Sequence, residues 1–167
     1  EEPVEGYITT VSETNLINTI TGTTSVSGTK TWRVPEGTKL PESITVILNR
    51  NDEPVARKKV TAADDWSYEF TELPAYSEDG STAYTYTVDE EPVEGYITTV
   101  SETNLINTIT SVKISKVDIA DGEELEGAAI QLIDKETGEV VEEWTSTNEA
   151  HEVTGLTTGK TYILRET

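Results

Sequence analysis

Apolar and polar residues alternate along most of the chain with the period of two that is typical of β-strands. The alternating segments include SVSGTKTW, ITVILNR, DWSYEFTEL and YTYTVDE, and turns rich in Gly, Pro and Asp separate them. Thr, Val, Ile and Tyr dominate these segments, and no segment with the period of a helix is long enough to predict one. Six or seven short strands before residue 110 predict an all-β protein built of small Ig-like β-sandwiches in tandem.

One sequence of 21 residues, EEPVEGYITTVSETNLINTIT, occurs at 1–21 (the N-terminal copy) and again at 90–110 (the internal copy). The spacing of 89 residues is the size of a small domain and therefore indicates tandem repeats. We expect residues 1–21 to be the last strands of a preceding repeat and residues 22–110 to be a complete repeat. Strand and hairpin patterns continue through 111–167, which predicts the N-terminal part of a further sandwich that lacks its last strand or strands.

Three polar residues, Lys30, Glu90 and Asn107, occupy inward-facing positions of the predicted strands. A buried Lys, Glu or Asn is unfavourable unless it has a partner. The pattern therefore predicts that these three residues meet one another inside the repeat.

The meeting of an amine, a carboxyl group and an amide has a chemical consequence. Burial lowers the pKa of an amine and raises that of a carboxyl group, so a neutral Lys30 could attack the Asn107 amide while Glu90 transfers protons. The product is an isopeptide bond, with ammonia released. A hydrogen-bonded Lys30–Glu90 pair with an unrelated Asn107 on a strand edge also fits the pattern alone. Asn104 is the fallback acceptor, but the alternation places it on the opposite face.

Three separated motifs, VSGTKTW, YTYTVDEEPVEGY and LINTIT, resemble in this order the B-type repeat domains of Gram-positive collagen adhesins, the CnaB family. The turn reads PVEGY where the family has PEGY. The resemblance covers roughly residues 24–110. It implies a spontaneous intramolecular bond between Lys30 and Asn107, assisted by Glu90.

The segments ISKVDIADGEELEGAAIQL and GLTTGKTYILRET are similar to the prealbumin-like branch of the same family. The resemblance implies that Lys116 is the nucleophile of this second domain and Glu166 its catalytic carboxylate, with Lys113 an exposed neighbour. The acceptor would lie on a final strand that is absent from this chain.

The N-terminal copy carries Glu1 and Asn18 at the positions of Glu90 and Asn107 in the internal copy, and its own Lys is expected upstream. An unpaired strand edge is a template for another chain, so pairing with another molecule is one expectation. In an exchanged form, Asn18 of one molecule would react with Lys30 of another. The identical strand within each molecule competes with that exchange at a higher effective concentration.

Composition excludes several classes of function. The net charge of −20 comes from 32 acidic and 12 basic residues, so a nucleic-acid partner is not expected and the acidic side chains are interpreted as a solvated surface. The absence of Cys excludes a disulfide framework, a thiol nucleophile and a thiolate metal site. We interpret the single His151 as a loop residue and DIADGEELEG as an acidic turn rather than a calcium loop. No metal, cofactor or membrane insertion is expected.

The function that these patterns favour is structural: a stalk or pilus-shaft segment on the outside of a Gram-positive cell, anchored to the cell wall by a part not in this segment. Its expected partners are neighbouring repeats. The only reaction expected is a single self-modification in each domain, so the protein is not expected to be an enzyme.

Two alternatives come from other functional classes. A ligand-binding adhesin module would use exposed aromatic residues such as Tyr76, although the sequence names no host ligand. A glycosidase would use adjacent carboxylates, of which Glu90–Glu91 and Glu142–Glu143 are examples. Adjacent residues on a strand face opposite sides of a sheet, so such pairs are poorly placed for shared chemistry.

Overall fold

A computed structural model describes residues 2–167, and Glu1 lies outside the described residues. Within that range the backbone forms fourteen strands and one short 3-10 turn at Ala62–Asp64, so the predicted all-β class is confirmed. The strands are β1 (Tyr7–Ser12), β2 (Asn15–Ile20), β3 (Thr23–Arg33), β4 (Ser43–Arg50), β5 (Glu53–Thr61), β6 (Ser67–Pro74), β7 (Tyr86–Glu90), β8 (Tyr96–Ser101), β9 (Asn104–Ile109), β10 (Ser111–Ile114), β11 (Ala129–Asp134), β12 (Val140–Thr145), β13 (His151–Thr154) and β14 (Tyr162–Glu166).

Seven strands, β3 to β9, form two sheets, and we call residues 23–109, which contain them, the central repeat. One sheet has the order β6-β3-β9-β8 and the other has the order β5-β4-β7. The alternation along β3 and β4 turns every second side chain inward, and burying these apolar side chains removes them from water. The buried apolar side chains are Val26, Ile44, Val46, Leu48, Val60, Tyr68, Val88 and Leu105.

The N-terminal copy folds into a hairpin of its own. Strands β1 and β2 pair antiparallel in a two-stranded sheet, with Tyr7 opposite Ile20 and Ser12 opposite Asn15. A loop of two residues joins them, and its first residue, Glu13, has a φ of 55°. Side chains on both faces of this hairpin are largely exposed.

Residues 111–167 contribute two small sheets. Strand β11 lies between β12 and β14, and β10 pairs antiparallel with β13. The predicted hairpin at Thr137–Gly138 is present between β11 and β12, and Gly138 takes the positive φ of 75° that this turn requires. The buried apolar side chains here are Ile130, Leu132, Ile133 and Val153.

Two strand predictions extend too far. The predicted strand DWSYEFTEL begins only at Ser67, because Asp65 and Trp66 have positive φ values of 51° and 54° and belong to the turn after Ala62–Asp64. The predicted strand SVKISKVD ends at Ile114, where its pairing with β13 stops.

The described chain divides into two compact units. The first comprises the residues up to Thr31, Pro35–Glu91 and Thr98–Ile106. The second comprises Trp32–Val34, Pro92–Ile97 and Asn107–Thr167. The turn before β8 therefore belongs to the unit of the C-terminal strands rather than to that of the strand that precedes it.

Candidate functional site

Lys30 and Glu90 form a fully buried ion pair. The Lys30 Nζ lies 2.8 Å from the Glu90 Oε2, and both side chains have no solvent exposure. Strand β3 turns Lys30 inward by its alternation, and the Lys30 amide donates to the carbonyl of Trp66 at 2.7 Å, which anchors the strand at this point. Glu90 ends β7 opposite Val46 of the central strand β4. The fold thus brings Lys30 and Glu90 together in the interior of the repeat.

Burial controls the protonation of Lys30. Desolvation lowers the pKa of the Lys30 amine, and the hydrogen bond and negative charge of Glu90 oppose that shift. The net direction of the pKa is downward, so the neutral amine is easier to reach here than on a surface lysine. A neutral amine is the nucleophilic form of lysine.

Asn107 is fully buried on β9, with a relative exposure of 0%. Strand β9 is the hydrogen-bonded neighbour of β3, the strand that carries Lys30. Asn104, the fallback acceptor, has a different role, because its Oδ1 accepts hydrogen bonds at 3.0 Å from both the amide and the hydroxyl of Thr29. Asn104 thus holds the start of β9 against β3.

Tyr68 is part of the same interior, and the sequence patterns did not single it out. Its hydroxyl donates a hydrogen bond to the carbonyl of Thr103, at the turn before β9. Burial and then the charge of Glu90 raise the pKa of Tyr68 to about 12, so the phenol stays protonated and remains a donor. The sequence signal that could have identified Tyr68 was its inward-facing position in the alternating segment DWSYEFTEL.

Gly28 makes the approach of Tyr68 to Thr103 possible. A Cβ at position 28 would lie 1.9 Å from the Thr103 carbonyl oxygen and 2.6 Å from the Tyr68 hydroxyl. A glycine inside a strand commonly marks such a close approach of another backbone, and this signal was present in SVSGTKTW.

The predicted residues of the second domain are also near each other, but they are not buried. The Lys116 Nζ lies 3.6 Å from the Glu166 Oε2, with the side chains 30% and 60% exposed. Lys116 follows the end of β10, and Glu166 is the last residue of β14. Lys113 is exposed, as the resemblance implied. Solvent screening makes an ion pair of this kind weak.

The N-terminal copy presents its Asn18 on an exposed part of β2, where the Thr9 hydroxyl donates to the Asn18 Oδ1 at 2.7 Å. Glu1, the predicted equivalent of Glu90, lies outside the described residues.

Two interpretations of single residues were wrong. His151 is the first residue of β13 and not a loop residue: its Nε2 lies 2.7 Å from the Glu142 Oε1, and its ring stacks on Trp144 with centroids 4.3 Å apart. Stacking and the hydrogen bond hold the ring against β12. Tyr76 is half-buried rather than exposed, and its backbone forms a bridge with Ala83.

Residues 2–167 contain no group of three or more His, Asp or Glu side chains arranged to hold a metal ion. In the same range there is no helix with the length and apolar character needed to cross a membrane.

The two sheets of the central repeat are those of a small prealbumin-like β-sandwich domain. The chain belongs to the family of Cna protein B-type domains, whose model matches residues 26–111. A second model, that of the prealbumin-like fold domain, matches residues 110–167. The resemblance seen in the sequence is thereby confirmed.

Proteins of known identity agree with this assignment. A collagen adhesin of Staphylococcus aureus is 36% identical over 115 residues, which is 64% of this chain and 10% of that protein. The chain thus spans about a tenth of the length of this curated relative.

Solved structures show the same fold. The crystal structure of a single B repeat unit of the collagen-binding surface protein of Staphylococcus aureus is 29% identical, with a TM-score of 0.51 over 87% of this chain and 86% of that one. A structure of two B repeat units of that protein is 30% identical, with a TM-score of 0.54 over 99% of this chain and 50% of that one. The pilus adhesin SpaC from Lactobacillus rhamnosus GG, 17% identical with a TM-score of 0.53 over 90% of this chain and 20% of that one, shares the fold.

Proposed function

We propose that this chain is a structural segment of a cell-surface adhesin or pilus, stiffened by an isopeptide bond between Lys30 and Asn107. The observation that carries the proposal is the fully buried contact of 2.8 Å between Lys30 and Glu90. A buried ion pair of this kind adds little stability compared with apolar packing, so a chemical role accounts for it better. The buried Asn107 on the neighbouring strand β9 supplies the acceptor.

The proposed reaction is an acyl transfer without any added reagent. Glu90 takes a proton from the Lys30 ammonium, and the neutral Nζ attacks the side-chain carbonyl carbon of Asn107. A C–N bond to Lys30 forms, and the bond from that carbon to the Asn107 Nδ2 breaks. Glu90 returns the proton to the departing nitrogen, which leaves as ammonia and takes with it, as ammonium, the second proton that the Lys30 Nζ must lose to become an amide nitrogen. Burial of the reacting groups provides the high effective concentration that such a slow reaction needs.

The resulting amide would join β3 to β9 and constrain the unfolded chain as a disulfide does. The chain-entropy model for a closed loop of this length gives a stabilisation of about 4.5 kcal/mol. An amide also resists reduction, so it suits a chain that has no Cys. A cross-link between sequence-distant strands is well suited to a domain that carries tension.

The setting that we propose is the outer surface of a Gram-positive cell, with neighbouring repeats as partners. The similarity to a collagen adhesin of Staphylococcus aureus and to its B repeat units supports this setting. The net charge of −20 suits a solvated extracellular segment. Lys116 and Glu166, 3.6 Å apart, are the proposed start of a second site of the same kind.

The test is the intact mass of the full chain under denaturing conditions. We expect the wild-type chain to be lighter than its sequence by one ammonia, and Lys30→Ala to have its calculated mass. Lys59→Ala is the matched control, because Lys59 is an exposed lysine on β5, and it should keep the deficit. A wild-type chain with the plain calculated mass would contradict the proposal and leave Lys30 and Glu90 as a buried ion pair only.

A further inference from the structure

The turn that precedes β8 makes a close backbone contact with a loop near the C-terminus. Gly95 is buried, and a Cβ at this position would lie 2.7 Å from the carbonyl oxygen of Gly155 and 3.1 Å from its Cα. The Gly155 amide donates to the Thr110 carbonyl at 2.9 Å, and the Thr110 amide donates to the Gly95 carbonyl at 3.0 Å. These contacts lie within the second compact unit, and their fit leaves no space for a side chain at position 95.

Side chains of the turn and of the loop add hydrogen bonds and an ion pair to the same contact. The Thr110 hydroxyl lies 2.6 Å from the carbonyl of Leu156, and the Thr157 hydroxyl donates to the Glu94 Oε1 at 3.0 Å. The Lys160 Nζ lies 3.4 Å from the same Glu94 oxygen. Glu94 is 74% exposed, so this ion pair is weak and the backbone fit carries most of the contact.

The N-terminal copy contains the same turn without these contacts. Gly6 has a φ of 82°, close to the 79° of Gly95, and the Thr21 amide donates to the Gly6 carbonyl at 2.8 Å. The turn therefore has the same internal structure in both copies. Gly6 is exposed, however, and a Cβ there would have no heavy atom of the described residues within 4 Å apart from its chain neighbours. Thr21 is exposed as well.

We propose that Glu94, Gly95 and Thr110 form a docking seat for the loop 155–160 of a following prealbumin-like domain. The seat is preformed by its own sequence, and a following domain fills it when its loop offers a close-packed glycine, a hydroxyl at position 157 and a cation at position 160. The loop of the central repeat after Ala75, YSEDGSTAYT, packs its Gly80 against Thr19 and Ile20 instead, where a Cβ would lie 3.0 Å from both residues, and leaves the turn at Gly6 open. The seat thus distinguishes a terminal-type domain from another repeat.

Matched glycine variants of the full chain test the seat. Both Gly95→Ala and Gly6→Ala introduce a Cβ at a positive φ, so both carry the same backbone strain, but only Gly95→Ala meets Gly155. The readout is hydrogen exchange of the Gly155 amide by NMR, which reports the local opening of the loop. We expect Gly95→Ala to accelerate this exchange roughly tenfold or more and Gly6→Ala to leave it unchanged. Equal effects of the two variants would overturn the proposal.

A second matched pair keeps the test decisive if Gly95→Ala disturbs the fold. Thr110→Val removes the hydroxyl that reaches Leu156 and keeps the shape, and Thr21→Val makes the same change in the N-terminal copy. We expect Thr110→Val to accelerate Gly155 exchange roughly fivefold and Thr21→Val to leave it unchanged. Exchange of the Leu105 amide serves as the reference for the fold. Protection of Gly155 that survives both Thr110→Val and Gly95→Ala would contradict the proposal.

Discussion

The N-terminal copy and the internal copy have identical sequences and form identical hairpins, yet they bury different amounts of their surface. Strands β1 and β2 have the same bounds as β8 and β9 after the shift of 89 residues, and Glu13 and Glu102 open the two turns with φ values of 55° and 56°. Leu16 is 55% exposed, whereas its counterpart Leu105 is fully buried. Asn18 is exposed, whereas Asn107 is fully buried.

This difference shows which features of the hairpin depend on its own sequence and which depend on distant strands. Hairpin pairing and the turn depend on residues close in sequence, so both copies form them. Burial depends on β3, which lies beside β9 in the four-stranded sheet, while β1 and β2 form a sheet of two strands. The reaction proposed for Asn107 therefore depends on the residues that surround it and not on the sequence of its own strand.

The acceptor asparagines give the largest expected contrast. Asn107→Ala should lower the free energy of unfolding by about 4.5 kcal/mol, because the loop closed by the cross-link would be lost. Asn18→Ala should change it by less than about 0.5 kcal/mol, since exposed positions rarely contribute more. Denaturant unfolding of both variants, followed by tryptophan fluorescence, measures the difference. Two small and equal changes would argue against the cross-link.

The leucines of the two copies test burial without the chemistry. Leu105→Ala removes a fully buried side chain and should destabilise the domain by about 2–5 kcal/mol. Leu16→Ala affects a half-exposed side chain and should change stability by less than about 0.5 kcal/mol. Thermal unfolding of the two variants measures both effects. A large effect of Leu16→Ala would show that another surface covers the N-terminal copy in solution.

Tyr68 holds the turn of the internal copy, and its loss should have a smaller effect. Tyr68→Phe leaves the part-buried Thr103 carbonyl without the phenol donor and should lower the free energy of unfolding by about 1–3 kcal/mol. Tyr86→Phe is the control, because Tyr86 donates to the Pro74 carbonyl at an exposed site. A Tyr68→Phe chain as stable as Tyr86→Phe would rule out this role.

The smallest expected effect is the pH dependence of the loop that contains Asp79 and Gly80, which packs against the N-terminal copy. A Cβ at Gly80 would lie 3.0 Å from Ile20, and the loop is held by hydrogen bonds from Ser77 and Ser81 that lower the pKa of Asp79 to about 2. Because the folded pKa lies below the ordinary value of 3.8, the contribution of Asp79 is complete above about pH 4 and is lost as the pH falls towards 2.

An NMR titration of the Asp79 carboxyl carbon checks this shift. The midpoint should lie near 2, and Ser81→Ala should move it upward because two of the hydrogen bonds are lost with that side chain. A midpoint near 3.8 in the unmodified chain would contradict the hydrogen-bonded loop.

Period-two alternation predicted the inward-facing polar residues of the central repeat. It placed Lys30, Glu90 and Asn107 in the interior, and all three are buried. Alternation is a local property of strands, so it survives without knowledge of the neighbouring sheet. The same property predicted the hairpin at Thr137–Gly138.

Features that depend on distant residues were missed or misjudged. The Tyr68–Thr103 bond joins residues 35 positions apart, and His151 is held by stacking on Trp144 of another strand. Trp66 adopts a positive φ that non-glycine residues seldom take, so no sequence rule predicted its turn. The two copies show most clearly what the local sequence cannot predict. Their sequences are identical, yet Leu16 and Asn18 are exposed whereas Leu105 and Asn107 are buried.

The most direct test of the central claim is a tryptic map of the wild-type chain by tandem mass spectrometry. Trypsin does not cleave after a modified lysine, so a bond from Lys30 to Asn107 would give residues 1–33 joined to residues 60–113 as one branched peptide. We predict this peptide, with one ammonia missing and the fragment ions placing the branch at Asn107. Separate linear peptides of unmodified mass, or a branch at Asn18, would contradict the account.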